Sequence, residues 1–343
     1  MNIIVLFFSC FIIILALGIL RNWKVKSPKQ NIFSILIACR NEEKKLPQLF
    51  DSLQKLDYPI DKFEIIIVDD ASTDNSAKLI KEFCKNFSNM KSILLKEKSA
   101  EFKGKKAALT AAADIAENEF LLFTDADCIP SINWIQNYNY YISKNTGMII
   151  SSYKEINTSG FQKFCNQAST AIYASTTGIG FPFSGAGGNM CVRKKTFDQV
   201  GGYNSIKNNE AGDDKQMVNL IAKTDWQIRY NPHLDVITEN NSNLKHHGNQ
   251  RKYGKFDMSS LHFKIISILV FLFYIYLPII VLTKHDWSLF LMYFFAVFFF
   301  WLMNLLKHNL KFNILDPVYI LYYPYYVIFY SLLGMRNKWK WKS

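Results

Sequence analysis

Asp125 and Asp127 stand one residue apart at the end of the apolar run Phe120-Leu121-Leu122-Phe123-Thr124. Two hard carboxylates at this spacing on an extended segment point the same way, a donor set that suits Mg2+ or Mn2+ holding a diphosphate. The run itself reads as a buried strand that Pro130 keeps from continuing. In an open α/β sheet ligands collect beyond the carboxyl ends of the strands, so these acids belong to a crevice and not to the core. An acidic loop after a strand would carry the same residues, and the surrounding chain has to decide. A second acidic pair, Asp213-Asp214, lies in Glu210-Ala211-Gly212-Asp213-Asp214-Lys215-Gln216-Met217, at a helix start. Lys105 and Lys106 follow Gly104 and open an alanine-rich helix over 107–116, whose N-terminus is a natural seat for phosphate. The small residues Ser184-Gly185-Ala186-Gly187-Gly188 let a backbone approach a ligand closely.

The elements that must position these groups alternate. Strand-length apolar runs at 34–39, 63–68, 91–95 and 120–124 are separated by helical patterns. Arg40-Asn41-Glu42-Glu43 is expected to open the first of these helices, with Asn41 as its N-cap and two acids in the first turn. Leu46, Leu49, Phe50, Leu53 and Leu56 fall on one face of that helix and pack. Asp74 is placed to cap the next helix, near Asn75. A helix over 134–142, a strand over 148–153 and a last strand over 227–230 follow. The alternation predicts a doubly wound, mostly parallel sheet. No GxGxxG follows the first strand, which excludes the familiar NAD-binding unit.

Four blocks carry a resemblance: Ser34-Ile35-Leu36-Ile37-Ala38-Cys39-Arg40-Asn41-Glu42-Glu43, Ile67-Val68-Asp69-Asp70-Ala71-Ser72-Thr73-Asp74, Lys103-Gly104-Lys105-Lys106-Ala107-Ala108-Leu109 and Phe123-Thr124-Asp125-Ala126-Asp127. In order and spacing they resemble the family 2 glycosyltransferases, the GT-A-fold enzymes that include cellulose and chitin synthases and ceramide glucosyltransferase. The resemblance implies a Rossmann-like GT-A domain. It implies that the turn from Ala38 through Arg40 and Glu42, together with Asp70, holds the uridine of a donor. Lys105 would approach the pyrophosphate or base, and Asp125 with Asp127 would sit over the Mg2+ or Mn2+ and the donor sugar. Ala38 stands where the family usually has proline, a change expected to alter loop stiffness. Gly187 and Gly188 correspond to the place where acceptor meets donor sugar. Asp214 corresponds to the general base, with Asp213 in place of a glutamate and Met217 in place of a leucine. Inversion at an α-linked donor asks for such a carboxylate opposite the leaving group, to take the acceptor's proton. Gln250, Arg251 and Tyr253 fall where processive members carry Gln-x-x-Arg-Trp. Tyr253 departs from that pattern, which weakens the acceptor-side assignment and argues against a long-chain polymerase.

Composition adds a membrane. Half of the residues are hydrophobic and the mean hydropathy is +0.01 despite 20% charged residues, with the apolar excess at the two ends. The net charge of +12 suits an anionic membrane face, because Arg21, Lys24, Lys26 and Lys29 follow the first apolar run and Lys338, Lys340 and Lys342 follow the last. No basic stripe interleaved with aromatics appears in the middle of the chain, so nucleic acid is not an expected partner. The run 2–20 has the length of a membrane anchor, and the bases behind it favour a cytosolic catalytic domain. Three further apolar segments, 265–283, 288–306 and 315–333, close the chain. If all three spanned, the basic tail would lie outside, so one is expected to be re-entrant or interfacial. A weakly polar stretch over 161–180 is expected to be an interfacial helix. The six cysteines form no CxxC spacing and read as buried thiols of a reducing compartment, and the six histidines show no zinc spacing.

The resulting organisation is an anchor over 1–22, a GT-A domain over 31–255 and a membrane region over 262–343. The expected activity is inverting transfer of a sugar from a nucleotide donor, UDP-linked in the first instance, to a lipid or lipid-linked acceptor at the cytosolic face of the membrane. The alternatives are a processive polysaccharide synthase, a non-catalytic membrane scaffold of a glycosylation complex, and a nucleotidyltransferase, which would release pyrophosphate.

Overall fold

Runs of β-branched and aromatic residues too short for helices form strands, and the central ones, Phe33–Cys39, Phe63–Asp70 and Phe120–Asp125, are buried along nearly their whole length, as parallel strands covered on both faces must be. A computed structural model of the chain describes residues 2–25, 29–97, 99–102, 104–158, 160–208, 212–239 and 261–334. It opens with α1 (Ile3–Ile19), β1 (Phe33–Cys39), α2 (Leu46–Gln54), β2 (Phe63–Asp70), α3 (Ser76–Lys85) and β3 (Met90–Leu95). Next come α4 (Lys106–Ile115), β4 (Phe120–Asp125), β5 (Cys128–Pro130), α5 (Trp134–Asn139), β6 (Thr146–Ile150), β7 (Tyr153–Ile156) and α6 (Gly160–Gly178). The order ends with β8 (Met190–Arg193), α7 (Lys194–Gln199), α8 (Asp213–Ile221), β9 (Gln227–Tyr230), β10 (Val236–Glu239), α9 (Leu261–Lys284), α10 (Trp287–Lys307) and α11 (Asp316–Gly334).

Two compact units result: a sheet unit, Asn22–Asn157 with Pro182–Asn240, and a helical unit, Met1–Arg21 with Thr158–Phe181 and Asn241–Ser343. In the sheet unit a seven-stranded sheet runs β3-β2-β1-β4-β8-β6-β9. Strands β3, β2, β1 and β4 are parallel, with Ala38 of β1 in register with Val68 on one side and Asp125 on the other. The chain steps from β1 outward to β3 and then crosses back to β4, so β1 and β4 flank the switch point where such sheets open a crevice. The sheet is mixed and not uniformly parallel, because β8 runs antiparallel to both β4 and β6.

A second sheet, β5-β10-β7, corrects two expectations. Pro130 is not what ends β4: that strand stops at Asp125, and after the turn at Ala126 and Asp127 the chain re-enters a short strand that ends at Pro130. That strand lies at the sheet's edge, where a missing N–H costs little. The expected strand over 148–153 is two strands, β6 and β7, divided at Ser151 and Ser152. The Ser151 hydroxyl donates to the carbonyls of Asn231 and His233.

In the helical unit Val5 packs with Phe273, Leu277, Val281, Leu289 and Tyr293, and Phe164 and Ala168 of α6 pack with Trp301, Leu305 and Ile320. Helices α1 and α6 cross at glycines, since a Cβ on Gly178 would stand 1.8 Å from the Gly18 carbonyl oxygen. Among the described helices α10, with a hydropathy of 2.2 over its apolar window, is long and apolar enough to cross a membrane. The stretches Ile3–Ile19 and Ile268–Lys284 are apolar but shorter. All six cysteines are free. Cys39, Cys128, Cys165 and Cys191 are buried as expected, whereas Cys10 on α1 is exposed.

Candidate active site

The loops after β1 and β2 are stitched to each other. Asn41 adopts a left-handed backbone with φ 55°, a conformation asparagine tolerates. Its side chain accepts from the Thr73 amide at 2.8 Å and its own amide donates to Ser72 Oγ at 2.9 Å. Asn41 therefore caps no helix: α2 starts at Leu46, and Glu42 and Glu43 precede it. The Glu42 amide donates to Ser76 Oγ at 2.8 Å, and Glu43 accepts from the amide and side chain of Asn75 at 3.0 Å. Asp74 does hold the start of α3, accepting from the Ser76 amide at 3.0 Å. The Arg40 guanidinium donates to the Asp70 carbonyl, and Asp70 itself is 1% exposed at the end of β2. Ala38 belongs to β1 itself and not to the loop, so its difference from proline acts on a paired strand. Burial, with Asp69 and Glu42 nearby, pushes the Cys39 thiol up to about 12, so it is no nucleophile at neutral pH.

Asp125 leaves the end of β4 partly exposed, and Asp127 is exposed in the turn that follows. Lys105, at the start of α4, forms an ion pair with Asp125 Oδ1. Burial works against the Lys105 ammonium, but the charges of Asp125, Asp213 and Asp127 outweigh it, and the group is held well above its ordinary value. Asp125, Asp127 and Cys128 offer ligand atoms that all lie within 4.8 Å of one another. Hard carboxylate oxygens with an open side suit Mg2+ or Mn2+ better than a softer ion, and the Lys105 ammonium already marks the place as one that takes positive charge.

The small-residue loop reaches the same carboxylate. Asn189, fully buried, fixes its end by accepting from Trp134 Nε1 at 3.0 Å and the Tyr138 hydroxyl at 2.9 Å while donating to the Ser152 carbonyl at 2.7 Å. Gly188 is required by close approach: a Cβ there would lie 2.5 Å from Asp125 Oδ2. A Cβ on Gly187 would meet Asp214 Cβ at 3.4 Å, which sets the second acidic pair beside the loop. Asp213 and Asp214 form the first turn of α8, after Gly212 in the left-handed region at φ 76°, and the helix dipole favours ionised acids there. Asp213 Oδ2 is buried and accepts no hydrogen bond among the described residues.

Ala38, Arg40, Glu42, Asp70, Lys105, Asp125 and Asp127 thus gather at the carboxyl ends of β1, β2 and β4, and Gly187, Gly188, Asp213 and Asp214 close on them from later in the chain. Gln250, Arg251 and Tyr253 lie outside the described residues. Sequence reasoning gave no individual role to three neighbours. Tyr153 donates to Asp125 at 3.2 Å and accepts from the Gly188 amide at 2.6 Å. The Tyr203 hydroxyl is fully buried without a hydrogen-bond partner among the described residues, and burial, with Asp213, Asp125 and Asp214 nearby, raises it well above its ordinary value. Cys128 completes the acidic group, its thiol raised by burial and then by Asp125 and Asp127. Contacts of such long range leave no local pattern; only Cys128, beside Asp127, was within reach of a spacing argument.

Fold and site define an α/β protein with an acidic, cation-accepting centre at the switch point of its sheet. Residues 34–207 match Glycosyl transferase family 2, and the chain belongs to that family. It is 22% identical over 222 residues to the Bacillus subtilis (strain 168) protein named probable glycosyltransferase YdaM, covering 61% of this chain and 51% of that one. It is 36% identical over 95 residues to the poly(ribitol-phosphate) beta-N-acetylglucosaminyltransferase TarS of Staphylococcus aureus (strain Mu50 / ATCC 700699), covering 28% of this chain and 16% of that one. The chain thus spans about half the length of the first of these relatives and less of the second. Its fold is similar to that of the mannosyltransferase PcManGT from Pyrobaculum calidifontis, solved in complex with GDP-Man and Mn2+. The TM-score is 0.57 at 15% identity, over 98% of this chain and 99% of that one.

Proposed function

We propose that the protein is an inverting, divalent-cation-dependent glycosyltransferase that moves a sugar from a nucleoside-diphosphate donor, UDP-linked in the first instance, to a hydroxyl on a lipid or lipid-linked acceptor at the cytosolic face of a membrane. The observation that carries this reading is the convergence of Lys105, Asp125 and Asp127 at one sheet end with the loop of Gly187, Gly188 and Asp214 beside them, in a chain of family 2. The donors named for similar proteins support it, since one carries N-acetylglucosamine transfer in its name and another was solved with GDP-Man and Mn2+. The apolar helix α10 and the apolar α1 support an anchored enzyme, organised as an anchor over 1–22, a catalytic domain over 31–255 and a membrane region over 262–343.

In this reading Arg40, Glu42 and Asp70 border the nucleoside, and Lys105 meets the diphosphate. Asp125 and Asp127 would hold a Mg2+ or Mn2+ ion, which supplies positive charge against the charge growing on the departing diphosphate. Asp214 accepts the proton of the acceptor hydroxyl as its oxygen attacks the anomeric carbon. The bond from that carbon to the diphosphate oxygen breaks, and the nucleoside diphosphate leaves with the electron pair. Asp213 keeps local charge negative beside the base, and the Gly187-Gly188 backbone admits the acceptor.

The test supplies purified protein in detergent with a panel of UDP- and GDP-sugars and a membrane lipid extract, then measures nucleoside diphosphate release and identifies the labelled product. A glycolipid with inverted anomeric configuration is expected. Release of pyrophosphate, or nucleotide binding with no turnover on any donor, would contradict the proposal, and a long polymer would replace single transfer by processive synthesis.

A further inference from the structure

Tyr153 begins β7, in register with Val236 of β10, and its phenol leaves the small sheet for the carboxyl end of β4. There the hydroxyl does two things at once, accepting from the Gly188 amide at 2.6 Å and donating to Asp125 Oδ2 at 3.2 Å. Lys105 occupies the other oxygen, Oδ1. A carboxylate held at each oxygen by a different element cannot turn about its terminal torsion, so the Asp125 plane is fixed. Gly188 presses against the same pair: a Cβ there would stand 2.5 Å from Asp125 Oδ2 and 2.7 Å from the Tyr153 hydroxyl. Because Gly187 adjoins Asp214, the tether that fixes Gly188 to Asp125 also holds the loop that lies between the donor-side acids and the candidate base on α8.

We infer that Tyr153 is a positioning residue of this site: its hydroxyl locks the Asp125 carboxylate and the Gly187-Gly188 backbone into one arrangement, and sugar transfer depends on that lock. The inference rests on the glycosyltransferase reading above. It assigns the hydroxyl no proton transfer and no contact with substrate.

Tyr153→Phe keeps the ring and removes both hydrogen bonds. A displacement of reacting groups of about an ångström costs on the order of 100-fold in rate. The variant is therefore expected to lose about 10- to 100-fold in kcat with the donor KM changed by less than about threefold. Its melting temperature should stay within a few degrees of the wild type, and Mn2+ titrated calorimetrically in the presence of UDP or GDP should bind several-fold more weakly. Gly188→Ala alone should also lower kcat, and adding Tyr153→Phe to it should cost less than Tyr153→Phe costs in the wild type, because both act through one contact. Unchanged kcat and unchanged Mn2+ affinity in Tyr153→Phe would overturn the positioning role and leave the glycosyltransferase reading intact. So would a lowered melting temperature with full kcat per folded molecule. A wild-type protein that binds neither Mn2+ nor a nucleoside diphosphate would overturn both.

Discussion

At the amino end of the central strands Glu64 is saturated: Ser34 Oγ donates to it at 2.6 Å, the Glu117 amide at 2.8 Å, and Lys91 pairs with it at 2.9 Å. Asn118 completes that network, donating to Ser34 Oγ at 3.2 Å and to the Phe33 carbonyl at 2.7 Å. At the carboxyl end of the same strands the balance is reversed. Asp125, Asp127 and Asp213 crowd around the Lys105 ammonium, and Asp213 Oδ2 and the Tyr203 hydroxyl are buried without hydrogen-bond partners among the described residues. Buried polar atoms left unmatched and like charges held close both cost stability. A fold carries such costs where a ligand relieves them, so the contrast marks the carboxyl end as the working end.

The largest effect expected from this contrast is on chemistry alone. Asp214→Asn should lower transfer by about 100- to 10,000-fold, the worth of a general base, while nucleoside diphosphate affinity measured by calorimetry stays within about threefold. Retained transfer would remove Asp214 from the mechanism. Lys105→Met should act on binding: loss of one charge-assisted partner, on the order of 1.5–3 kcal/mol, corresponds to about 10- to 100-fold weaker UDP or GDP affinity. Equal affinity would show that Lys105 serves Asp125 only.

At the other end the same kind of change should touch folding and spare turnover. Glu64→Gln keeps the shape and removes the charge, and is expected to cost about 1–3 kcal/mol by denaturant unfolding at pH 7, with kcat within about twofold of the wild type. Burial opposes the Glu64 carboxylate, but hydrogen bonds from Ser34, the Glu117 amide and Lys91 outweigh it, so its folded value lies below the ordinary 4.5. A depressed folded value means the contribution is complete above about that ordinary value and is lost as pH falls through the folded one. The stability gap between wild type and Glu64→Gln should therefore close as pH drops below 4.5, and a gap independent of pH would show that the carboxylate's charge plays no part.

The two ends were not equally readable in the sequence. Strands β1, β2 and β4 announce themselves as continuous apolar runs, and Asp70, Lys105, Asp125 and Asp127 sit within one residue of an element boundary, where local pattern and chemistry coincide. Strand β8 hides because Met190 to Arg193 is four residues long, follows a glycine-rich loop and runs against its neighbours, none of which periodicity records. Asn41 misled because residues that favour a helix N-cap also tolerate the left-handed turn it makes instead. Tyr153 reaches Gly188 across 35 residues and Asp125 across 28, through a three-stranded sheet that only the folded chain assembles. Ser34 and Glu64 at the amino end likewise read as ordinary strand residues until their partners are brought alongside.

Calorimetric titration of UDP and GDP, with and without Mn2+, into the wild type, Asp127→Ala and Glu64→Gln tests the assignment of the working end most directly. Mn2+-dependent binding that disappears in Asp127→Ala and persists in Glu64→Gln is the expected result. Binding of neither nucleotide, or binding unaffected by loss of Asp127, would contradict it.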